Sequence, residues 1–349
     1  MYPFNSSRSY IRNAWYMAAW GQEISRRPFE RIIMDEPIVF YRKETGEPVA
    51  MFGLCPHRTH PLMDGRLIGD DIMCPYHGFT YSPQGACVRI PAQDSLPRNF
   101  RQRIYPLIER GGAIWIWMGR AEQADPALMP ALAEIGMGVS GWKTVDNGLT
   151  SIKARWSLVI DNVMDLSHVG FLHLKTIEAP AAGDTTPLDE ADERIRCIRM
   201  MTDQSADMPY ARQAFPENVE PLDIEIGSIF HGPGLIVTFL RFHTAASRGP
   251  RRLLGVSNHL QGVTPASPHA THDFSGIVRN VRLDSDEFDD WLRTAVIKTR
   301  EEDVEALEKI EPLVDRYANA RSELSGVGDV SAIRVRRQLA ALLAQEEAA

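Results

Sequence analysis

The segment CPHRTHPLMDGRLIGDDIMCPYHG, residues 55–78, carries two arms, Cys-Pro-His and Cys-Pro-Tyr-His, each pairing one cysteine with one histidine. The spacing is Cys55-x-His57, sixteen residues, then Cys74-x-x-His77. Two thiolates and two imidazoles fit a single tetrahedral zinc, and they also fit a binuclear iron–sulfur cluster. In the common Cys₂His₂ zinc finger the cysteines share one arm and the histidines the other. Mixed arms suit a cluster instead, because each loop can reach across and ligate both irons. Glycines and prolines around both arms supply tight turns whose N–H groups can point at the sulfurs. His60 and Cys87 fall outside the spacing and read as a satisfied surface histidine and a small buried apolar residue.

Two loops held side by side need a stiff scaffold, and the first third of the chain reads as one. Residues 31–54 give β-rich runs either side of Glu44-Thr45-Gly46-Glu47, a hairpin signal. The device repeats around Pro83-Gln84-Gly85, and GGAIWIWMG is a further β-prone run. Composition shifts to Ala, Asp and Pro near residues 119–130, which sets expected domains of 1–125 and 126–349. Residues 156–174 show helical spacing of apolar side chains. Residues 178–222 lack periodicity and read as long loops. Strand-like runs return at GLIVTFLRFH, RRLLGVSNHLQGVTP and FSGIVRNVRL. Asp284 and Glu287 resemble a capping box opening a helix to about residue 318, and SAIRVRRQLAALLAQEE closes the chain as a second helix.

With 349 residues there is room for two cores. The formal charge of −8 disfavours nucleic acid as a partner and suits a redox protein with a basic docking face. Four cysteines make no disulfide scaffold, and no stretch has the length of a membrane span, so a cytoplasmic protein with no membrane contact is expected.

A second constellation lies in DNVMDLSHVGFLH, where Asp165, His168 and His173 follow one another. At roughly 100° per residue Asp165 and His168 share a helix face, whereas His168 and His173 stand about 140° apart. One metal can collect both only if the helix ends or distorts between them, and Gly170 is the expected place. In the long helix, Glu302 and Asp303 flank an apolar stripe through Phe288, Leu292, Ala295, Thr299, Ala306 and Ile310, while Glu301 points away. Periodicity does not separate the two acids.

The double Cys/His motif closely resembles the Rieske signature, with Cys55, His57, Cys74 and His77 on a [2Fe–2S] cluster. Beside it, Asp-x-x-His-x-x-x-x-His resembles the catalytic domain of Rieske non-haem iron oxygenases, nearest to the group holding vanillate O-demethylase, toluenesulfonate methyl-monooxygenase and dicamba monooxygenase. The resemblance runs from YIRNAWYMAAW to the closing helix. It implies an α+β fold: an N-terminal antiparallel β Rieske domain, then a helix-grip-like catalytic domain with a central antiparallel sheet and C-terminal helices. It implies a mononuclear Fe(II) on His168, His173 and, since EDVEALEKI looks like the family's ligand segment, Asp303. Asp165 would link His168 to His77 of a neighbouring subunit in a head-to-tail homotrimer, because the two centres of one chain stand too far apart. Asn162 would act behind the iron ligands.

The implied reaction takes O₂ and two electrons from NAD(P)H through a separate reductase, with or without a ferredoxin, since the chain has no Gly-rich dinucleotide fingerprint of its own. The expected substrate is a small aromatic, a methoxylated acid losing its methyl group. Ring hydroxylation, or a non-catalytic Rieske electron carrier, are the alternatives. His259 and Gln261, on one face of a strand, and Arg241 are candidate substrate contacts.

Overall fold

A computed structural model describes residues 10–97, 99–174, 176–177, 194–317 and 323–348. The chain divides into two units. Arg12–Met129 together with Thr264–Ser267 make one; Met1–Ile11, Pro130–Val263 and Pro268–Ala349 make the other.

The first unit holds ten short strands: β1 (Trp15–Trp20), β2 (Phe29–Ile33), β3 (Glu36–Arg42), β4 (Pro48–Phe52), β5 (Arg66–Ile68), β6 (Asp71–Met73), β7 (Thr80–Tyr81), β8 (Cys87–Arg89), β9 (Leu107–Arg110) and β10 (Ala113–Trp117). They form three sheets, ordered β1-β10-β9, β2-β3-β4 and β5-β6-β7-β8. Both expected hairpins are present. The turn at Glu44–Glu47 joins β3 to β4, and Pro83–Gly85 joins β7 to β8. The tight β2–β3 turn rests on Met34 and Asp35, at φ 52° and 65°, and no Gly or Asn marks it in the sequence. A core of Val39, Tyr41, Met51, Leu62, Ile72 and Tyr81 gathers around Cys55 and Cys74. The two cysteine-bearing loops are thus pinned to a rigid apolar base.

The second unit is built on β11 (Lys143–Ile152), β12 (Arg196–Gln204), β13 (Leu222–Phe230), β14 (Ile236–Thr244), β15 (Leu253–Ser267) and β16 (Ala270–Arg279). They make one six-stranded sheet, ordered β11-β16-β15-β14-β13-β12. Its helices are α1 (Trp156–Val163), α2 (Val169–Leu172), α3 (Pro209–Ala214), α4 (Asp286–Tyr317) and α5 (Val330–Ala348). Cavity-lining residues alternate along the strands, as in Ile224/Ile226/Ser228 of β13 and Ser257/His259/Gln261 of β15. The long helix α4 brings Phe288, Leu292 and Leu307, all buried, to the packed side of this unit. Among the described residues no helix is long and apolar enough to cross a membrane.

Three expectations need correction. Residues 156–174 are not one helix: α1 stops at Val163, and a turn over 164–168 precedes α2, so Asp165 and His168 share no helix face. The break falls before His168 rather than at Gly170, because the Met164 and Asp165 N–H groups bond back to Ile160 and Asn162 and close the helix there. Within 178–222, β12 and α3 occupy what reads as loop; β12 is stabilised by its ladder to β13, a non-local pairing that leaves no periodic trace in a half-exposed strand. Residues 178–193 of that stretch lie outside the described residues. Finally, α4 is capped by Ser285, whose Oγ accepts the Phe288 N–H at 3.2 Å, and not by Asp284.

Candidate functional site

The two Cys/His arms fold by the same rule. In the first, the Thr59 N–H donates to the Cys55 carbonyl at 2.8 Å and the Cys55 N–H to the His60 carbonyl at 2.9 Å. In the second, Gly78 donates to Cys74 at 3.0 Å and Cys74 to Phe79 at 2.8 Å. Each loop closes over five residues, with a left-handed residue fifth: Gly78 at φ 73°, and Thr59 at φ 52° against the preference of a β-branched side chain. A Cβ on Gly78 would also stand 2.8 Å from Pro91 Cγ.

These turns set the donors in place. Cys55 and Cys74 are free and buried in the same apolar core. Burial and the neighbouring Cys55 push the Cys74 thiol up, while the N–H groups of Tyr76 and His77 aim at its sulfur and favour the thiolate. The Tyr81 hydroxyl lies 3.3 Å from Cys55 Sγ. The rings of His57 and His77 meet with centroids 4.6 Å apart, and His57 Nδ1 is buried with no hydrogen-bond partner among the described residues. Paired buried thiols beside a buried imidazole nitrogen left open are a donor set that a metal cluster satisfies.

In the second unit α2 is a single turn with His168 as its N-cap and His173 as its C-cap. That solves the 140° problem, for the two rings leave opposite ends of the turn and converge with centroids 5.2 Å apart. Asp303 Oδ1, on α4, lies 3.6 Å from His168 Nε2 and 3.2 Å from His173 Nε2. One donor atom from each of the three falls within 4.8 Å of the others. Asn162 Nδ2 donates to the same Asp303 oxygen at 2.9 Å. Burial pushes His168 toward its neutral form; at His173 burial is outweighed by Asp303 and Glu302, which raise it. Two imidazole Nε2 atoms and a carboxylate facing one point suit Fe(II) with positions left open. Another His/acid group, His269, Glu311 and Asp315, offers no comparable site, because Arg155 Nη2 already sits 2.8 Å from Glu311 and 2.9 Å from Asp315.

The three converging residues line a cavity of about 110 Å³ together with Asn162, His259 and Gln261. It shares Ile226, Thr238, His259 and Thr299 with a more apolar cavity of about 190 Å³. There Tyr210 stacks on Phe242 at 5.6 Å and meets Trp291 edge-on at 5.6 Å, beside Met201 and Met208. At the junction, His259 pairs with Ser275 Oγ at 2.9 Å, and burial with nearby Arg300 pushes it down to about 3, so its imidazole is neutral. Asp165, half-buried, accepts the Ser167 N–H at 2.7 Å.

Arg241 is not among the residues lining either cavity: its guanidinium lies over the Phe239 ring at 4.3 Å and pairs with Glu225 at 2.8 Å. Sequence reasoning singled out Glu302 with Asp303 as the two acids of the apolar stripe but gave Glu302 no role; in the structure it contacts His173 Nδ1 at 2.8 Å. Sequence reasoning missed Trp291, Tyr210 and Phe242, apolar residues indistinguishable from ordinary core.

A model of the Rieske [2Fe–2S] domain matches residues 14–102, and one of the vanillate O-demethylase oxygenase C-terminal domain matches residues 152–345. The chain is 29% identical over 338 residues to the dicamba O-demethylase oxygenase component of Stenotrophomonas maltophilia, covering 95% of this chain and 97% of that one. It is 31% identical over 344 residues to the chloroacetanilide N-alkylformylase oxygenase component of Rhizorhabdus wittichii, covering 95% and 94%. A crystal structure of dicamba monooxygenase bound to 3,6-dichlorosalicylic acid matches with a TM-score of 0.89 at 27% identity, covering 98% of this chain and 100% of that one. The chain belongs to the Rieske non-haem iron oxygenases with a vanillate O-demethylase type C-terminal domain: it is an oxygenase component that carries a Rieske [2Fe–2S] cluster and a mononuclear iron and is supplied with electrons by a separate reductase.

Proposed function

We propose that this oxygenase removes the methyl group of a small methoxylated aromatic acid, with iron held by His168, His173 and Asp303 and the cluster by Cys55, His57, Cys74 and His77. Residues 1–125 would then serve as the cluster domain and 126–349 as the catalytic domain. The observation that carries the reading is the meeting of His168 Nε2, His173 Nε2 and Asp303 Oδ1 in a cavity that continues into an aromatic-lined one.

The bound metals supply oxygen activation and the reducing electrons. The chain's own residues do the rest. The apolar lobe of Tyr210, Phe242 and Trp291 takes the ring and excludes water. Neutral His259, with Gln261 beside it on β15, offers hydrogen bonds to a ring substituent without importing a charge. Asn162 holds the Asp303 carboxylate turned toward the two imidazoles. With one oxygen atom inserted into the methoxy C–H bond and the other leaving as water, the hemiacetal parts into a phenol and formaldehyde. The test is a screen of methoxylated and carboxylated aromatics with a surrogate reductase. Formaldehyde formed in proportion to phenol supports demethylation; ring-hydroxylated product without formaldehyde rejects it.

Asp165 is assigned the bridge between His168 and His77 of the partner subunit, in a head-to-tail homotrimer. Support comes from both ends: His168 Nδ1 is buried with no partner among the described residues, and His77 is exposed. Asp165→Asn is expected to keep both metal centres and the oligomer, and to slow turnover by about 10–100-fold. Single-turnover oxidation of the reduced cluster measures it, and an unchanged rate rejects the bridge.

A further inference from the structure

Glu302 and Asp303 are consecutive on α4, about 100° apart around its axis. Together they grip both nitrogens of one imidazole: Asp303 Oδ1 stands 3.2 Å from His173 Nε2, and Glu302 Oε2 stands 2.8 Å from His173 Nδ1. The same Glu302 oxygen accepts the Thr176 hydroxyl at 2.7 Å, which fixes the carboxylate from its other side. His173 itself is 2% exposed, so water competes little for either nitrogen. The other histidine differs. His168 Nδ1 is buried and meets no hydrogen-bond partner among the described residues.

We propose that Glu302 is the positioning residue of the iron centre, its carboxylate receiving the Nδ1–H of His173 so that the Nε2 lone pair is presented to the metal. The inference rests on His168, His173 and Asp303 being the iron ligands. An imidazole has two tautomers, and the hydrogen bond at one nitrogen decides which of them leaves the other free to ligate. A full negative charge at that bond also makes the imidazole a stronger donor than a carbonyl or water partner does. The two histidines are therefore inequivalent within the chain. His173 is locked and made electron-rich from inside, whereas the Nδ1 of His168 meets no such group among the described residues. Thr176 stands three residues beyond His173, so the anchor and the ligand it serves come from one short stretch.

Fe(II) affinity and the spectrum of the iron test this apart from turnover. Wild type, Glu302→Gln, Glu302→Ala and Thr176→Val are stripped of mononuclear iron with a chelator that spares the cluster, titrated with Fe(II), and read by electron paramagnetic resonance of the nitric oxide adduct. Glu302→Ala is expected to bind Fe(II) about 10–100-fold more weakly, with altered rhombicity of the adduct. Glu302→Gln, which keeps an acceptor but loses the charge, should fall between it and wild type; Thr176→Val should lose a few-fold. Cluster absorption should stay constant throughout. Should Glu302→Ala fail to fold, Glu302→Gln decides alone. Equal affinity and an identical adduct spectrum in the glutamate variants and wild type would overturn the proposal. A wild type that takes up no Fe(II) would overturn the ligand reading beneath it, so the two failures are distinguishable.

Discussion

Asp303→Ala is expected to abolish turnover and to release the mononuclear iron while the cluster stays in place. The carboxylate is the only acid among the three converging donors, and its Oδ1 faces both Nε2 atoms at 3.6 and 3.2 Å. Two neutral imidazoles alone hold a hard divalent ion poorly, because the metal's charge is then uncompensated in a half-buried cavity. Loss of the ion removes several kcal/mol of charge stabilisation, a rate effect on the order of 10³-fold or more. The iron-to-labile-sulfide ratio should fall from about 3:2 to about 2:2, with the visible spectrum of the cluster intact. Asn162 loses its acceptor at the same time, so nothing on α1 substitutes for the missing ligand. Retained turnover, or an unchanged iron-to-sulfide ratio, would sink the assignment of Asp303.

Glu311→Ala should produce the largest loss of stability, about 3–5 kcal/mol. Glu311 Oε2 accepts the Arg155 backbone N–H and Nε, each at 2.9 Å, and Oε1 takes Nη2 at 2.8 Å; both side chains are 6% exposed. Removing the acid strands a buried guanidinium at the start of α1, with half-exposed Asp315 as a partial substitute. The bridge ties α4 to α1, the two helices that supply Asp303 and Asn162, so the loss should also loosen the iron site. Burial pushes the Glu311 carboxyl up, but Arg155 and His269 outweigh it and hold it below the usual 4.5. Its folded value being depressed, the stabilisation is complete above about pH 4.5 and disappears as the pH falls through the folded value. Denaturant unfolding of wild type and variant at pH 7 and in that acid range measures both effects. A difference under about 1 kcal/mol at pH 7, or one that widens on acidification, contradicts the prediction.

The legible parts were those with a short-range cause. Cys55, His57, Cys74 and His77 could be paired from spacing alone, since each arm is a loop of a few residues whose ligands must come from the same turn. The strands around them follow from period-two patterning and Gly-marked turns. His168 and His173 were recognisable as a pair, although periodicity put the helix break at the wrong residue. Closure of α1 at Val163 depends on the backbone bonds of Met164 and Asp165, which no side-chain pattern announces.

Other features were settled only by how distant segments pack. Arg241 and His259 sit on neighbouring strands of one antiparallel ladder and look alike as strand polar residues; only the packing around the sheet makes His259 a cavity-lining residue while Arg241 is taken up by Glu225 and the Phe239 ring. Likewise Glu302 and Asp303 flank the same stripe, and an amphipathic pattern fixes a helix's buried side only to within a residue or so of rotation. The placement of α4 beside α2, more than a hundred residues away in sequence, divides their work, one acid to Nδ1 and the other to Nε2 of His173. Local chemistry could pick out the candidate donors; the rotation of a single helix chose which oxygen meets which nitrogen.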